Sequence, residues 1–88
     1  MKIILSGALR RFVNYQRDLT YNASTITAAL HQMCSDYPDL GKVLFNSDET
    51  VSSLNRYFLN GTQMTTAELD TATTGEDTLD IITAIAGG

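Results

Sequence analysis

DTLDIITAIAGG, residues 77–88, joins an apolar segment to two glycines. From Asp77 to Ile85 the residues read as a β-strand, entered through the turn-forming TTGED of residues 73–77. Side chains alternate faces along a strand, so Leu79 and Ile81 directed to a core place Asp80 and Ile82 outward. Glycine lacks a Cβ and loses more conformational freedom on ordering than any other residue. Gly87 and Gly88 therefore read, with Ala86, as a flexible tail to be held by something else.

Working back along the chain, RYFLNGTQM of residues 56–64 carries Asn60-Gly61, which supplies the positive φ angles of a tight turn between Tyr57–Leu59 and a short return strand. Residues 39–54 mix turn formers with Leu40, Val43, Leu44 and Phe45, which predicts a looped connection pinned to the core by a helical turn. Before it, Ile26, Leu30, Met33 and Tyr37 recur at spacings of three and four until Pro38 ends the pattern. This predicts a helix from Thr25 to Asp36 with Ser24 as its cap. KIIL (2–5) and QRDLTYN (16–22) read as a hairpin of two strands joined by a loop from Gly7 to Tyr15. The order strand, strand, helix, strand, short strand, strand predicts a single α+β domain over residues 1–88, one main helix packed across a mixed sheet.

Composition narrows the function. The chain has 88 residues, 43% of them hydrophobic and 18% charged, which places it in the ordinary globular class with a small core and no room for a large buried cleft. A net charge of −4 with only six Lys and Arg argues against nucleic acid, whose affinity comes from counterions released by basic side chains. Arg10, Arg11 and Arg17 lie in one stretch, as a solvated loop or a face toward an acidic partner. No run approaches the roughly 18 apolar residues that span a bilayer, and no signal peptide is visible, so a cytoplasmic protein without membrane contact is expected. The single cysteine, Cys34, excludes an internal disulfide and fits a reducing compartment, where the Asn-x-Ser/Thr sequences at Asn22 and Asn60 are incidental.

The stretch LNGTQM…LDTATTGEDTLDIITAIAGG, with its Asn-Gly hairpin, Gly-Asp-type turn, apolar last strand and closing Gly-Gly, resembles the ThiS/MoaD-type ubiquitin-like sulfur carriers. KIILSGALRRF near the start and the helix closing on DYPDL are similar in type and position, so the resemblance spans the chain. It implies a β-grasp fold. It also implies that an adenylating enzyme related to the ubiquitin activators converts the carboxylate of Gly88 to an acyl-adenylate, using ATP and magnesium that this chain does not itself bind. Sulfide or a persulfide donor then displaces AMP, leaving a thiocarboxylate at Gly88 for a sulfur-accepting biosynthetic enzyme. Ala86 and Gly87 are the tail that must enter the partner's channel, where a larger side chain would be obstructive. Thr83-Ala84 stands where many molybdopterin-type carriers have prolines, and the chain is longer than the typical thiamin-type carrier, so the pathway stays open. Some relatives carry extra residues after the glycines that a protease removes.

On this reading the chain is a carrier, not an enzyme, and a monomer when free. The alternatives are a protein modifier joined through Gly88 to a lysine, or the small subunit of a molybdopterin-synthase-like complex. Ubiquitin-like carriers dock partners on the open face of the sheet, which selects the outward Ile82 and, from the return strand, Met64 as docking residues. His31 and Cys34 sit three apart on the helix, but two ligands do not make a zinc site, and Cys34 reads as packing with His31 solvated. Asp77 and Asp80 read as turn and surface groups rather than an acid–base pair, since nothing in a domain this small desolvates them.

Overall fold

The apolar segment near the C-terminus is the middle strand of a five-stranded sheet. In the computed structural model, which describes residues 1–83, β5 (Thr78–Thr83) pairs in parallel with β1 (Lys2–Leu5) and antiparallel with β3 (Asn55–Leu59). β2 (Asp18–Thr20) and β4 (Thr62–Met64) form the edges, giving the order β2-β1-β5-β3-β4. The predicted end of the last strand at Ala84 and Ile85, and the tail 86–88, lie outside the described residues.

The core follows from the alternation. Ile3, Leu5, Leu79, Ile81, Leu19 and Tyr57 are buried from the sheet. The helix α2 (Ile26–Asp36) meets them with Ile26, Ala29, Leu30 and Met33, the one-sided stripe expected of a packed helix. Its cap lies one residue later than the sequence predicts. Thr25 is extended at φ −140 and its side chain accepts a hydrogen bond from the Ala28 N–H at 3.1 Å. Ser24 instead lends its carbonyl to the Thr73 N–H at 2.9 Å, tying the segment before β5 to the start of the helix.

The predicted loop from Gly7 to Tyr15 is largely helical, and the helical turn predicted within residues 39–54 is a full helix at its start. Gly7–Arg10 forms α1, continued by a 3₁₀ turn at Arg11–Val13, because Leu9 and Val13, four apart, both reach the core. Pro38 ends α2 but also begins α3 (Pro38–Leu44), where its missing N–H is no loss in a first turn and Leu40 and Leu44 are again buried four apart. Three helices, with α2 the main one, thus accompany the sheet.

At the opposite end of β5 from Thr83, one side-chain pair sets where the strand starts. Asn60 and Gly61 hold the left-handed turn at φ 51 and 86. Asn60 donates from Nδ2 to Asp77 Oδ1 at 2.9 Å and accepts at Oδ1 from the Thr78 N–H at 2.9 Å. Asp77 Oδ2 also accepts from the Thr74 N–H at 2.7 Å. These bonds, the one from Asn60 first, hold the Asp77 carboxyl below its ordinary value of 3.8. A depressed folded pKa contributes stability that is present above the unfolded value and lost as pH falls through the folded one. Asp77→Asn should therefore flatten the fall of the urea midpoint between about pH 5 and pH 2 relative to the parent; parallel curves would mean that Asp77 contributes nothing to acid lability.

Candidate functional site

The helices leave one face of the sheet open. Ile4 and Phe58 lie on either side of Asp80, and Ile82 lies opposite Arg56, so Ile4, Phe58 and Ile82 share that face from β1, β3 and β5. Ile82 is 46% exposed, while its neighbours in the strand, Ile81 and Thr83, are buried and half-buried. Ile4 and Phe58 are half-buried, and Lys2, Asp18, Thr20 and Gln63 share the same face around them. An apolar patch ringed by charge and polar groups is the form of surface that partners cover.

Met64, expected beside Ile82, is on the other side of the sheet. It stands directly opposite Tyr57, and residues directly opposite in an antiparallel pair point to one face. Tyr57 is buried, so Met64 is half-buried against the core at the edge of the sheet. Ile4 and Phe58 are the open-face residues that sequence reasoning missed. Each sits inside an unbroken apolar run, IIL and YFL, where alternation leaves no mark. A count across the two-residue turn finds Phe58, since Leu59 opposite Thr62 puts Phe58 opposite Gln63 on the face away from Met64.

The remaining candidates among the described residues lie on α2, just before β5 and on the open face. Cys34 is half-buried on α2, and burial pushes its thiol up to about 11, the wrong direction for a nucleophile. His31, expected to be solvated, is exposed but stacks on Phe45 with ring centroids 4.8 Å apart. Among the described residues no group of three or more His, Cys, Asp or Glu is placed to hold a metal ion. Asp77 is the turn anchor described above, and Asp80 lies half-buried on the open face between Ile4 and Phe58. Gly88, Gly87 and Ala86 lie outside the described residues. What the structure does fix is where β5 leads: Thr83 stands opposite Asn55, at the start of β3, and one step beyond Ile82.

A cavity of about 240 Å³ opens beside that point, lined by Asn55, Arg56, Met64 and Thr65 among others. Asn55 is buried, its Nδ2 donating to the Val43 carbonyl at 3.0 Å, while its Oδ1 meets no partner among the described residues.

No family model and no curated protein matches the chain. Solved structures do. SAMP1 from Haloferax volcanii is 22% identical with a TM-score of 0.82, over 100% of this chain and 98% of that one. The small archaeal modifier protein 1 from Methanosarcina acetivorans is 21% identical with a TM-score of 0.85, over 99% and 94%. A chain of the Amycolatopsis orientalis BexX/CysO complex is 18% identical with a TM-score of 0.79, over 99% and 98%. The fold is the ubiquitin-like β-grasp. The neighbours are β-grasp proteins of the ThiS/MoaD type that the sequence resembles, and at these identities the likeness shows the fold. Among the described residues of this β-grasp domain, no helix is long and apolar enough to cross a membrane.

The face assignment has a direct test in adjacent residues of β5. Ile81→Ala removes fully buried methylenes and should cost about 2–5 kcal/mol in urea unfolding, whereas Ile82→Ala should stay within roughly 0.5 kcal/mol. Equal losses at both positions would contradict the alternation.

Proposed function

We propose that the chain is a sulfur carrier, not itself an enzyme, whose reacting group is the carboxylate of Gly88. The observation that carries the reading is the register of β5. In a β-grasp domain it directs Ile82 onto the open apolar face and points the strand toward residues 84–88, which end in Gly87-Gly88. Drawn out in a partner's channel, five residues reach at most roughly 17 Å, enough for the carboxylate to enter an active site that the domain docks beside.

The chemistry belongs to the partner, an adenylyltransferase like the ubiquitin-activating enzymes. A carboxylate is a poor electrophile. Its oxygen attacks the α-phosphorus of ATP, with magnesium neutralising the phosphates, and pyrophosphate leaves. Sulfide, or the terminal sulfur of a donor protein's persulfide, then attacks the acyl carbon and AMP departs with the oxygen. With sulfide the product is the thiocarboxylate; a persulfide adduct needs reduction of its S–S bond to release it. A sulfur-accepting enzyme consumes the product in the biosynthesis of thiamin, molybdopterin, cysteine or another sulfur-containing metabolite. The reading takes the cytoplasm, where ATP is plentiful, as the place of work and asks for no cofactor, nucleic acid or membrane on the carrier.

A second reading has its own support in the neighbours named as small archaeal modifier proteins. There the same adenylate would be passed on to a lysine amine, joining Gly88 to a target by an isopeptide bond. A stable synthase subunit, the third reading, would co-purify with a larger chain.

Intact-mass measurement after incubation with the cognate adenylating enzyme, ATP, magnesium and sulfide should show one oxygen replaced by one sulfur. Deleting Gly88 withdraws the carboxylate by about 3.5 Å and should slow the reaction by a hundredfold or more, since ångström misplacement of reacting atoms is already of that order. An unimpaired deletion variant would end the carrier reading. Ile82→Asp should stay folded and raise KM for the carrier at least tenfold or so, because a charge there must be desolvated on docking; an unchanged KM would remove the open face from the docking surface.

A further inference from the structure

The large hydrophobic side chains most exposed among the described residues are Tyr15 at 77%, Leu54 at 58% and Ile82 at 46%. All three lie at one end of the sheet. β5 runs parallel to β1, so Ile82 stands level with the residue after Leu5; Leu54 immediately precedes β3, whose Asn55 is opposite Thr83; and Tyr15 bonds through its N–H to the Arg10 carbonyl, in the segment that follows β1.

The arginines gather there as well. Arg10 donates from Nε to the Leu5 carbonyl at 3.0 Å. The Arg17 carbonyl accepts from the Leu5 N–H at 3.4 Å. The Arg11 guanidinium lies 4.8 Å above the Phe12 ring, and Arg56 is opposite Ile82. Of the chain's other two basic residues, Lys2 lies at the far end of β1 and Lys42 is paired with Asp39 at 3.4 Å. Although the chain carries ten carboxylates, none of the four arginines forms an ion pair with one among the described residues. The nearest by register, Asp18 and Asp80, stand one row further in, opposite Ile4.

We infer that this end of the domain docks onto an acidic surface of a partner protein, with Arg11, Arg17 and Arg56 meeting its carboxylates around Tyr15 and Leu54. The inference rests on the carrier reading for its occasion, since the strand that leads to the tail ends at the same place. The arginines spread from β2 across to β3, three strand spacings or about 14 Å, a span that one contact patch covers. Arginine and tyrosine are the side chains that dominate binding at such patches. The backbone spends strain on the display: Asn14 and Tyr15 are both left-handed, at φ 56 and 61, held by the Gln16 amide, which donates to the Val13 carbonyl and to the Tyr37 hydroxyl. Charge decides the partner class. A long polyanion that runs past the arginine end is repelled by the rest of a chain of net charge −4, whereas a short acidic segment or a local acidic patch on a protein meets only that end.

The test uses decaglutamate as probe, with amide chemical shifts of the full chain read at low salt. Shifts should be confined to residues 10–17, 54–56 and 82–83 and should vanish at a salt concentration on the order of 500 mM. Arg11→Glu with Arg17→Glu should weaken binding about tenfold or more, Arg56→Gln less, and Lys42→Glu not at all, each variant keeping the parent's amide dispersion. In the adenylation assay the double variant should raise KM for the carrier by a similar factor with kcat unchanged. Absent or scattered shifts, equal loss in Lys42→Glu, or tighter binding of a ten-residue single-stranded DNA would overturn the inference. If the parent chain is not adenylated while the decaglutamate footprint stands, the carrier reading fails and the acidic docking surface remains.

Discussion

The arrangement at the Thr83 end of the sheet depends on the register of β5. A shift of one residue in this strand would turn Ile81 outward and Ile82 into the core, and would move the strand's end relative to Ser6 and Asn55. Two anchors resist it. At the start of the strand the Asn60–Asp77 pair fixes Thr78 against the Asn-Gly turn; at the other end the Ser6 N–H bonds to the Ile81 carbonyl at 3.0 Å. Because β5 is central, with ladders on both sides, a slip would break hydrogen bonds to β1 and β3 together. Nothing at the edges, β2 and β4 with three residues each, exerts a comparable constraint.

Legibility in the sequence followed the same division. β5 could be read because Leu79-Asp80-Ile81 alternates, and α2 because Ile26, Leu30 and Met33 repeat at helical spacing toward a single face. The turn at Asn60-Gly61 was legible for a backbone reason, since few residue pairs accept left-handed φ twice. α1 and α3 were not, as α1 with its 3₁₀ continuation and the seven-residue α3 offer only one buried pair each, Leu9 with Val13 and Leu40 with Leu44, too few to show a period. At the site, Ile82 could be placed from its own strand, but Met64 required the pairing of two strands. That pairing puts it with Tyr57, on the core side.

The domain takes up several of its titratable groups in packing and in turns. Its thiol is pushed up by burial, its histidine is stacked on Phe45, and its carboxylates with lowered pKa values, Asp48, Glu68 and Asp77, are engaged by threonine or asparagine donors in exposed turns. Each of those acids stabilises a local turn by accepting N–H groups that would otherwise lack a partner. None faces a cleft in which a proton transfer to a substrate has a place. On the proposed function, the reacting group is instead one presented to another protein's active site.

Presentation of that kind divides the surface between attraction and fit. Salt-screened charge acts over roughly 10 Å, so the arginines near the end of β5 would orient the approach before Ile4, Phe58 and Ile82 come into contact. The apolar face then supplies most of the contact area but, being chemically plain, little direction. With no carboxylate paired to the arginines among the described residues, the chain is acidic overall while one end stays basic, which would disfavour docking through the wrong end. Asp80 sharpens this: set between Ile4 and Phe58, it penalises any partner that covers the apolar face without offering a hydrogen-bond donor at that position. A purely greasy surface would thereby be rejected, and on the carrier reading the domain would meet its partner with the strand that leads to Gly88 foremost.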